Sequence, residues 1–216
     1  MGMHKIMVVP LAGLLALTVA APAMAGPNVS NTSNSLTMAQ GSWDSWDDAT
    51  QTYGFGYITV SQDQSGNTFA EYSASSQQYV QCTGADTPDD PSDDTFGTIG
   101  TDDYGWGSAT LATAKTYSTA NASGTLDIGR VSYDECTGIY DKEQVSSATF
   151  SLDLTATSAL IKESGRGSFH IPGTFNNHSS YKAAYRYAEG TFDAGNGAVD
   201  VYGAIGKVTS SDHTNG

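Results

Sequence analysis

The chain has 216 residues, a formal net charge of −14, and a composition rich in Gly, Ser, Thr and Tyr but poor in Leu, Lys and Glu. Such a composition predicts strands and turns rather than helices, and the length suffices for one well-packed domain. The strong negative charge disfavours nucleic acid and anionic membranes as partners, because both would repel the protein.

Residues 1–25 have the features of a secretory signal peptide. A weakly basic start at Lys5 precedes an apolar run over 6–21, and residues 23–25 match the small-x-small pattern of a cleavage site. The apolar run is short for a transmembrane helix and is followed by polar residues. We therefore expect cleavage after Ala25 and export, with no integral membrane insertion and with an extracellular or cell-surface location.

Polarity along the rest of the chain suggests where the domain begins and ends. Residues 26–42 are polar and are predicted to form a flexible N-terminal segment, and residues 209–216 a flexible tail. No linker divides the region between them, which predicts a single β-domain over 43–208. An acidic loop at 85–103 interrupts that domain.

Alternation of apolar and polar residues predicts the strands in the first half of the domain. A hairpin is expected around the turn-forming residues 63–67, and another strand at 108–119 is followed by an expected turn at 121–124. Over 125–135 the alternation changes phase at Gly129, which indicates a β-bulge.

The second half shows the same pattern. The clearest strand is 149–160, where Phe150, Leu152 and Leu154 alternate with polar residues. A turn is expected at Pro172-Gly173, and the tyrosines of 181–187 predict a strand rather than a helical turn.

About eight to ten short strands separated by turns are typical of all-β folds. A single antiparallel β-sandwich is the preferred fold, and a closed antiparallel β-barrel is the alternative. A membrane-spanning barrel also has alternating strands, but here Ser and Thr occupy both faces and aromatic girdles are not evident.

Two short patterns recur in the same order and predict a duplicated hairpin. The segment Tyr-Gly-Phe-Gly at 53–56 is repeated as Tyr-Gly-Trp-Gly at 104–107. A Cys-Thr-Gly segment follows each copy, beginning at Cys82 and at Cys136. Export favours oxidation, so these two cysteines are predicted to form one disulfide.

Acidic residues are concentrated between the two copies. Calcium binds six to eight oxygen ligands and is abundant outside cells, so a calcium site is one interpretation of this segment; a solvated loop kept open by its own charge is the other. The spacing does not match an EF-hand. The candidate ligands are Asp86, Asp89, Asp90, Asp93 and Asp94.

Few residues suggest catalysis. His170 and His178 have no standard metal-ligand spacing, and motifs for a nucleophilic serine or a phosphate-binding loop are missing from the sequence. Glu71 and Glu189, on predicted strands, are the carboxylates that a secreted hydrolase would use. We therefore expect a non-catalytic protein without a cofactor other than calcium, and a hydrolase is the less favoured alternative.

The aromatic residues suggest a binding function. Trp43, Trp46 and Trp106 are candidate ligand-binding residues, because aromatic rings on a sheet can stack against sugars, although they also fill ordinary β-protein cores. The sequence thus predicts an exported binding or structural module, with a carbohydrate-binding module as the specific alternative. An extracellular glycan or an envelope component is the expected partner. The basic residues Lys162, Arg166, Lys182 and Arg186 are expected to face the acidic loop.

Overall fold

The structure, a computed structural model, describes residues 30–82, 95–171, 175–195 and 197–215. Every regular element in these ranges is a β-strand, and the strands are 11 to 19 residues long. Their number agrees with the prediction, but they are long rather than short. In chain order they are β1 (Ser30–Asp47), β2 (Thr52–Gln62), β3 (Thr68–Cys82), β4 (Thr95–Thr113), β5 (Thr119–Asp134), β6 (Ile139–Ala156), β7 (Ile161–Ile171), β8 (Phe175–Asp193) and β9 (Val199–Asn215).

The nine strands form one antiparallel sheet with the order β6-β5-β4-β3-β2-β1-β9-β8-β7. Residues 151–156 of β6 also pair with 188–193 of β8, so the sheet curls and its two sides meet. Because β7 pairs with 175–185 of β8, the sheet does not close as a clean barrel. The predicted all-β antiparallel domain is confirmed, and it consists of one continuous sheet that curls around the core.

The strands do not end level with one another. β1 pairs with β9 alone over 30–36 and with β2 alone over 43–47. At one end of the sheet, β7 and the adjoining parts of β8, β9 and β1 therefore form a four-stranded projection, which we call the β7–β1 extension. The opposite end carries the ends of β3 to β6 and both cysteines.

The core lies on the inner face of the curled sheet. On β6, Phe150, Leu152 and Leu154 all point inward, as the alternation predicts. A Cβ added to Gly41 of β1 would lie 2.9 Å from Val201 Cγ2 and 3.5 Å from Leu152 Cδ1, so a small residue at position 41 leaves room for these side chains. The fully buried core side chains include Ile58, Val60, Leu126, Leu152, Val201 and Ile205.

The turns show where local sequence was a sufficient guide. The hairpin turn at 63–67 is confirmed, and the Asp63 carboxylate accepts hydrogen bonds from the backbone of Ser65 and Asn67. A register shift is present next to Gly129, as predicted, but two residues of β6, 145 and 146, lie opposite Ile128, so the extra residue is on β6 and the register of β5 with β4 is continuous. The turn predicted at 121–124 is wrong, because those residues lie within β5 and the chain reverses at 114–118. The Pro172-Gly173 turn lies outside the described residues.

Strand structure also reaches into both segments predicted to be flexible. β1 begins at Ser30, and β9 continues to Asn215, where the two strands pair with each other along 30–42. Ser, Thr and Asn alternate with one another here and leave no apolar periodicity to detect. Each of these two strands is ordered by its pairing with the other, which lies almost the length of the chain away in the sequence. The predicted signal peptide, residues 1–25, lies outside the described residues.

The sequence repeat corresponds to two consecutive hairpins. The first copy spans β2 and β3, the second spans β4 and β5, and each ends at a cysteine. Cys82 and Cys136 form the predicted disulfide, with their Cα atoms 5.2 Å apart. The bond lies over Gly97 of β4, because a Cβ added there would be 2.9 Å from Cys82 Sγ and 3.2 Å from Cys136 Sγ.

Replacing Gly97 by valine is expected to impair formation of this disulfide. The added side chain would occupy the space of the two sulfur atoms, and such overpacking costs about 1–3 kcal/mol. Free thiols titrated after oxidative refolding, together with the melting temperature, would measure the effect. Gly167→Val is the matched control, since its Cβ would meet only the Ser179 hydroxyl at 3.0 Å. Equal thiol content in the two variants would contradict the prediction.

Candidate functional site

The outer surface of β2, β3 and β4 carries a row of aromatic side chains. Residue pairing aligns Tyr57, Ser73 and Tyr104 across the three strands. Because side chains alternate between faces along a strand, Phe55 and Trp106 point outward as well. We call this surface the aromatic face; it consists of Phe55 and Tyr57 on β2, Ser73 and Ser75 on β3, and Tyr104 and Trp106 on β4.

The aromatic face is open to solvent. Trp106 is 58% exposed and Phe55 is 43% exposed. The Trp106 ring centroid lies 5.5 Å from that of Tyr104. Between the two aromatic strands, β3 presents the small side chains of Ser73 and Ser75, followed along the strand by Glu71 and by Phe69, which is 49% exposed. The two serines lie between larger ring side chains and form the floor of a shallow groove.

Carboxylates border the groove. Glu71 pairs across the strands with Trp106, and its Oε1 accepts a hydrogen bond of 2.9 Å from the Tyr57 hydroxyl. Burial, and then this carboxylate, raises the pKa of Tyr57. Asp127 pairs with Trp106 from the other side and accepts a hydrogen bond from Ser147. These oxygens can accept hydrogen bonds from the hydroxyl groups of a ligand.

Trp46 lies next to the aromatic face. It pairs with Tyr53 of β2, whose ring centroid is 5.6 Å from that of Phe55. Trp46 is 55% exposed, and its indole N–H donates a hydrogen bond of 2.6 Å to Asp48. Two of the three predicted tryptophans, Trp46 and Trp106, therefore lie on the same outer surface.

Trp43 lies on the inner face instead. Its ring stacks on Phe192 at a centroid distance of 5.3 Å and on Tyr72 at 6.1 Å. These three rings border an inner cavity of about 290 Å³ at the end of the core, where Arg130 makes a salt bridge of 2.7 Å to Asp103. Burial raises the pKa of Tyr72 to about 12, so its hydroxyl stays protonated at neutral pH.

The candidate catalytic residues do not converge. Glu71 lies on the outer face of β3, and Glu189 lies on β8 opposite Tyr202 of β9. His170 and His178 lie on the β7–β1 extension, where His170 contacts Asn176. Three separate surfaces thus hold the four groups, whereas acid–base catalysis needs its groups around one substrate.

The calcium prediction concerns the acidic loop predicted at 85–103, which is wrong for residues 95–103 because they belong to β4. Asp86, Asp89, Asp90, Asp93 and Asp94 lie outside the described residues, so the calcium site stays a prediction. In the part of the chain that the structure describes, no three His, Cys, Asp or Glu side chains are grouped to hold a metal ion. The same part contains no helix of the length and apolarity needed to cross a bilayer.

Basic residues were expected to face the acidic loop, but they lie at the other end of the sheet. Lys162, Arg166 and Lys182 belong to the β7–β1 extension. Cys82 and Thr95, which flank the undescribed segment 83–94, lie at the opposite end. The strand order therefore separates these cations from the point where that segment leaves the sheet.

Sequence reasoning missed Phe55, Tyr57 and Tyr104 as members of the site. Their signal was the repeat itself, since alternating aromatic and Gly residues at 53–57 and 104–107 place every ring on one face of its strand.

Comparison of this chain with protein families, with curated proteins and with solved structures finds no match.

Proposed function

We propose that the protein is an exported, non-catalytic binding module whose aromatic face binds neutral glycans. The exposed rings of Phe55 and Trp106 on either side of a serine-lined groove are the observation that carries this proposal. Sugar rings stack their C–H faces on aromatic rings, and their hydroxyl groups form hydrogen bonds with polar side chains. The aromatic face offers both kinds of contact.

Charge favours a neutral ligand over an acidic one. Glu71 and Asp127 flank Trp106, and Asp102 pairs with Ser75 at the other end of the groove. These carboxylates would accept hydrogen bonds from sugar hydroxyls but would repel a sugar acid. The net charge of −14 acts in the same direction.

The dispersal of the candidate catalytic groups supports a binding function without catalysis. Glycoside hydrolysis uses two carboxyl groups on either side of one bond, with the acid in an apolar cleft. Glu71 and Glu189 lie on separate surfaces, and the aromatic face is a shallow groove. The Cys82–Cys136 disulfide supports export, because structural disulfides persist mainly in oxidising compartments.

Glycan binding can be tested with the Trp106→Ala and Phe55→Ala variants. Each is expected to weaken binding to a neutral polysaccharide by about tenfold, since one stacked aromatic pair is worth about 0.5–1.5 kcal/mol beyond its buried area. A panel of soluble and insoluble β-glucans, mannans and xylans, examined by affinity electrophoresis and pull-down, would identify the ligand and measure the loss.

Phe169→Ala is the matched control, because Phe169 is also an exposed phenyl group but lies on β7, away from the aromatic face. Its affinity should equal that of the unmodified protein, and circular dichroism should show that all three variants are folded. An equal loss in the Phe169 variant, or binding that survives removal of both Phe55 and Trp106 rings, would rule out the aromatic face as the site.

A further inference from the structure

Basic and histidine side chains share one face of the β7–β1 extension. On β7 this face carries Lys162, Ser164, Arg166, Ser168 and His170, and the register continues it across β8, β9 and β1. We call it the basic face. Its other members are Asn176, His178, Ser180, Lys182 and Ala184 on β8, Lys207, Thr209, Ser211 and His213 on β9, and Asn31, Ser33, Ser35 and Thr37 on β1.

Hydrogen bonds between strands confirm that these side chains point the same way. Ser180 and Ser211 approach to 2.9 Å between their hydroxyl oxygens, and His213 contacts Asn31. The pairing of β7, β8, β9 and β1 is regular through this region, without a register shift. The three lysines border one shallow depression of about 370 Å³ beside Tyr117, and Glu163 lines its edge as well.

This concentration of cations is unusual for the chain. The protein has nine Lys and Arg residues and a net charge of −14, yet four exposed cations, Lys162, Arg166, Lys182 and Lys207, lie together here. Three of its four histidines lie on the same face. Among the described residues of the extension, no carboxylate occupies a position on this face.

The nearest acidic side chains point to the opposite side of the extension. Glu163 alternates with Lys162 on β7, and its Oε1 accepts a hydrogen bond of 2.8 Å from the Tyr185 hydroxyl. Burial of Tyr185, and then this bond, raises the Tyr185 pKa. Asp212 pairs with Ser179, and both alternate with members of the basic face. The cations are therefore not neutralised by partners within the extension.

We propose that the basic face binds an acidic polysaccharide, at a site separate from the aromatic face. Charges spaced along an open four-stranded surface fit a polymer with repeated anionic groups better than a small anion, which a closed pocket would hold. The positions that form the face carry hydroxyl and amide groups for sugar hydrogen bonds, and Ala184 is their only apolar side chain.

The residue composition of the basic face disfavours nucleic acids and anionic membranes as ligands. Proteins that bind single-stranded nucleic acid stack its bases on a series of aromatic side chains, whereas the strand positions of this face carry none and Tyr117 only borders its depression. Proteins that bind a membrane surface insert apolar side chains beside their cations, and this face has no such residues. An acidic polysaccharide needs neither.

Polygalacturonate is a suitable probe, because carboxylic acids ordinarily titrate near pH 4 and the polymer is therefore charged at pH 7.5. At pH 7.5 and low salt, Lys162→Gln/Lys182→Gln/Lys207→Gln should bind about tenfold more weakly than the unmodified protein, since several modest charge pairs are lost. The corresponding triple Lys→Arg variant, which keeps the charges, should retain the affinity. Microscale thermophoresis would measure both.

The remote triple variant Gln81→Glu/Thr137→Glu/Ser151→Glu changes the net charge by the same amount as the triple Lys→Gln variant, at positions away from the basic face. If this remote variant binds polygalacturonate as tightly as the unmodified protein does, the basic face is supported as a local site. If it loses as much affinity as the triple Lys→Gln variant, the local site is overturned. Equal or tighter binding to duplex DNA or to phosphatidylglycerol vesicles would overturn the assignment to a polysaccharide. The Trp106→Ala variant should lose affinity for neutral glycans but should bind polygalacturonate as tightly as the unmodified protein does.

Discussion

Replacing Cys82 and Cys136 by serine is expected to lower the free energy of unfolding by about 4 kcal/mol. The bond closes a loop with a sequence separation of 54 residues, and in the chain-entropy model a loop of this length restricts the unfolded state by about that amount. Such a loss is a large fraction of the 5–15 kcal/mol that stabilises an ordinary domain. Urea unfolding followed by tryptophan fluorescence would measure it.

Reduction of the unmodified protein provides an independent test of the same bond. Dithiothreitol should bring its unfolding midpoint to that of the double serine variant and should leave the variant unaffected. The effect should arise mainly from the unfolded state. The disulfide joins the end of β3 to the turn that follows β5, and β4 already holds both strands in place by hydrogen bonds. A difference below about 1 kcal/mol would contradict the chain-entropy argument.

Truncation of Leu152 to alanine is expected to cost about 3–4 kcal/mol, within the range found for buried leucines. Leu152 is 0% exposed on β6 and faces Gly41 and Val201 across the core. Strands on both sides of the curled sheet surround the side chain, so the cavity cannot collapse without moving their backbones. Chemical denaturation would report the change as a lower midpoint with an unchanged m-value.

Ile139→Ala is the control for this truncation. Ile139 lies on the same strand but is 53% exposed, so its removal should cost less than about 1 kcal/mol, as is usual for surface positions. If Leu152→Ala is no more destabilising than Ile139→Ala, the inner face of β6 does not form the core described here.

Local sequence was sufficient for the features that neighbouring residues produce. The Asp63 turn forms because one carboxylate caps two nearby backbone N–H groups. The interactions that decide this turn lie within a few residues of one another. The register shift next to Gly129 is different, because its extra residue lies on β6 and not on the strand whose apolar pattern suggested it.

The aromatic site could be predicted only in part. Trp43 and Trp46 are three positions apart, so alternation already puts them on opposite faces of β1. Which face is inside depends on Phe192 and Tyr72, which stack on Trp43 from β8 and β3. Those partners come from distant parts of the chain, and the sequence alone did not identify them.

The alternation of side chains, the turn at 63–67 and the two cysteines could be recognised along the sequence, because each depends on chemistry within one short segment. The pairings of β7 with β8 and of β8 with β9, which bring Lys162, Lys182 and Lys207 together, follow from the register of the strands. The pairing of β1 with β9, and of β6 with β8, was decided only in the tertiary structure. Strand pairing over such separations depends on the burial of the whole core and on the closing of long loops, and no local pattern records it.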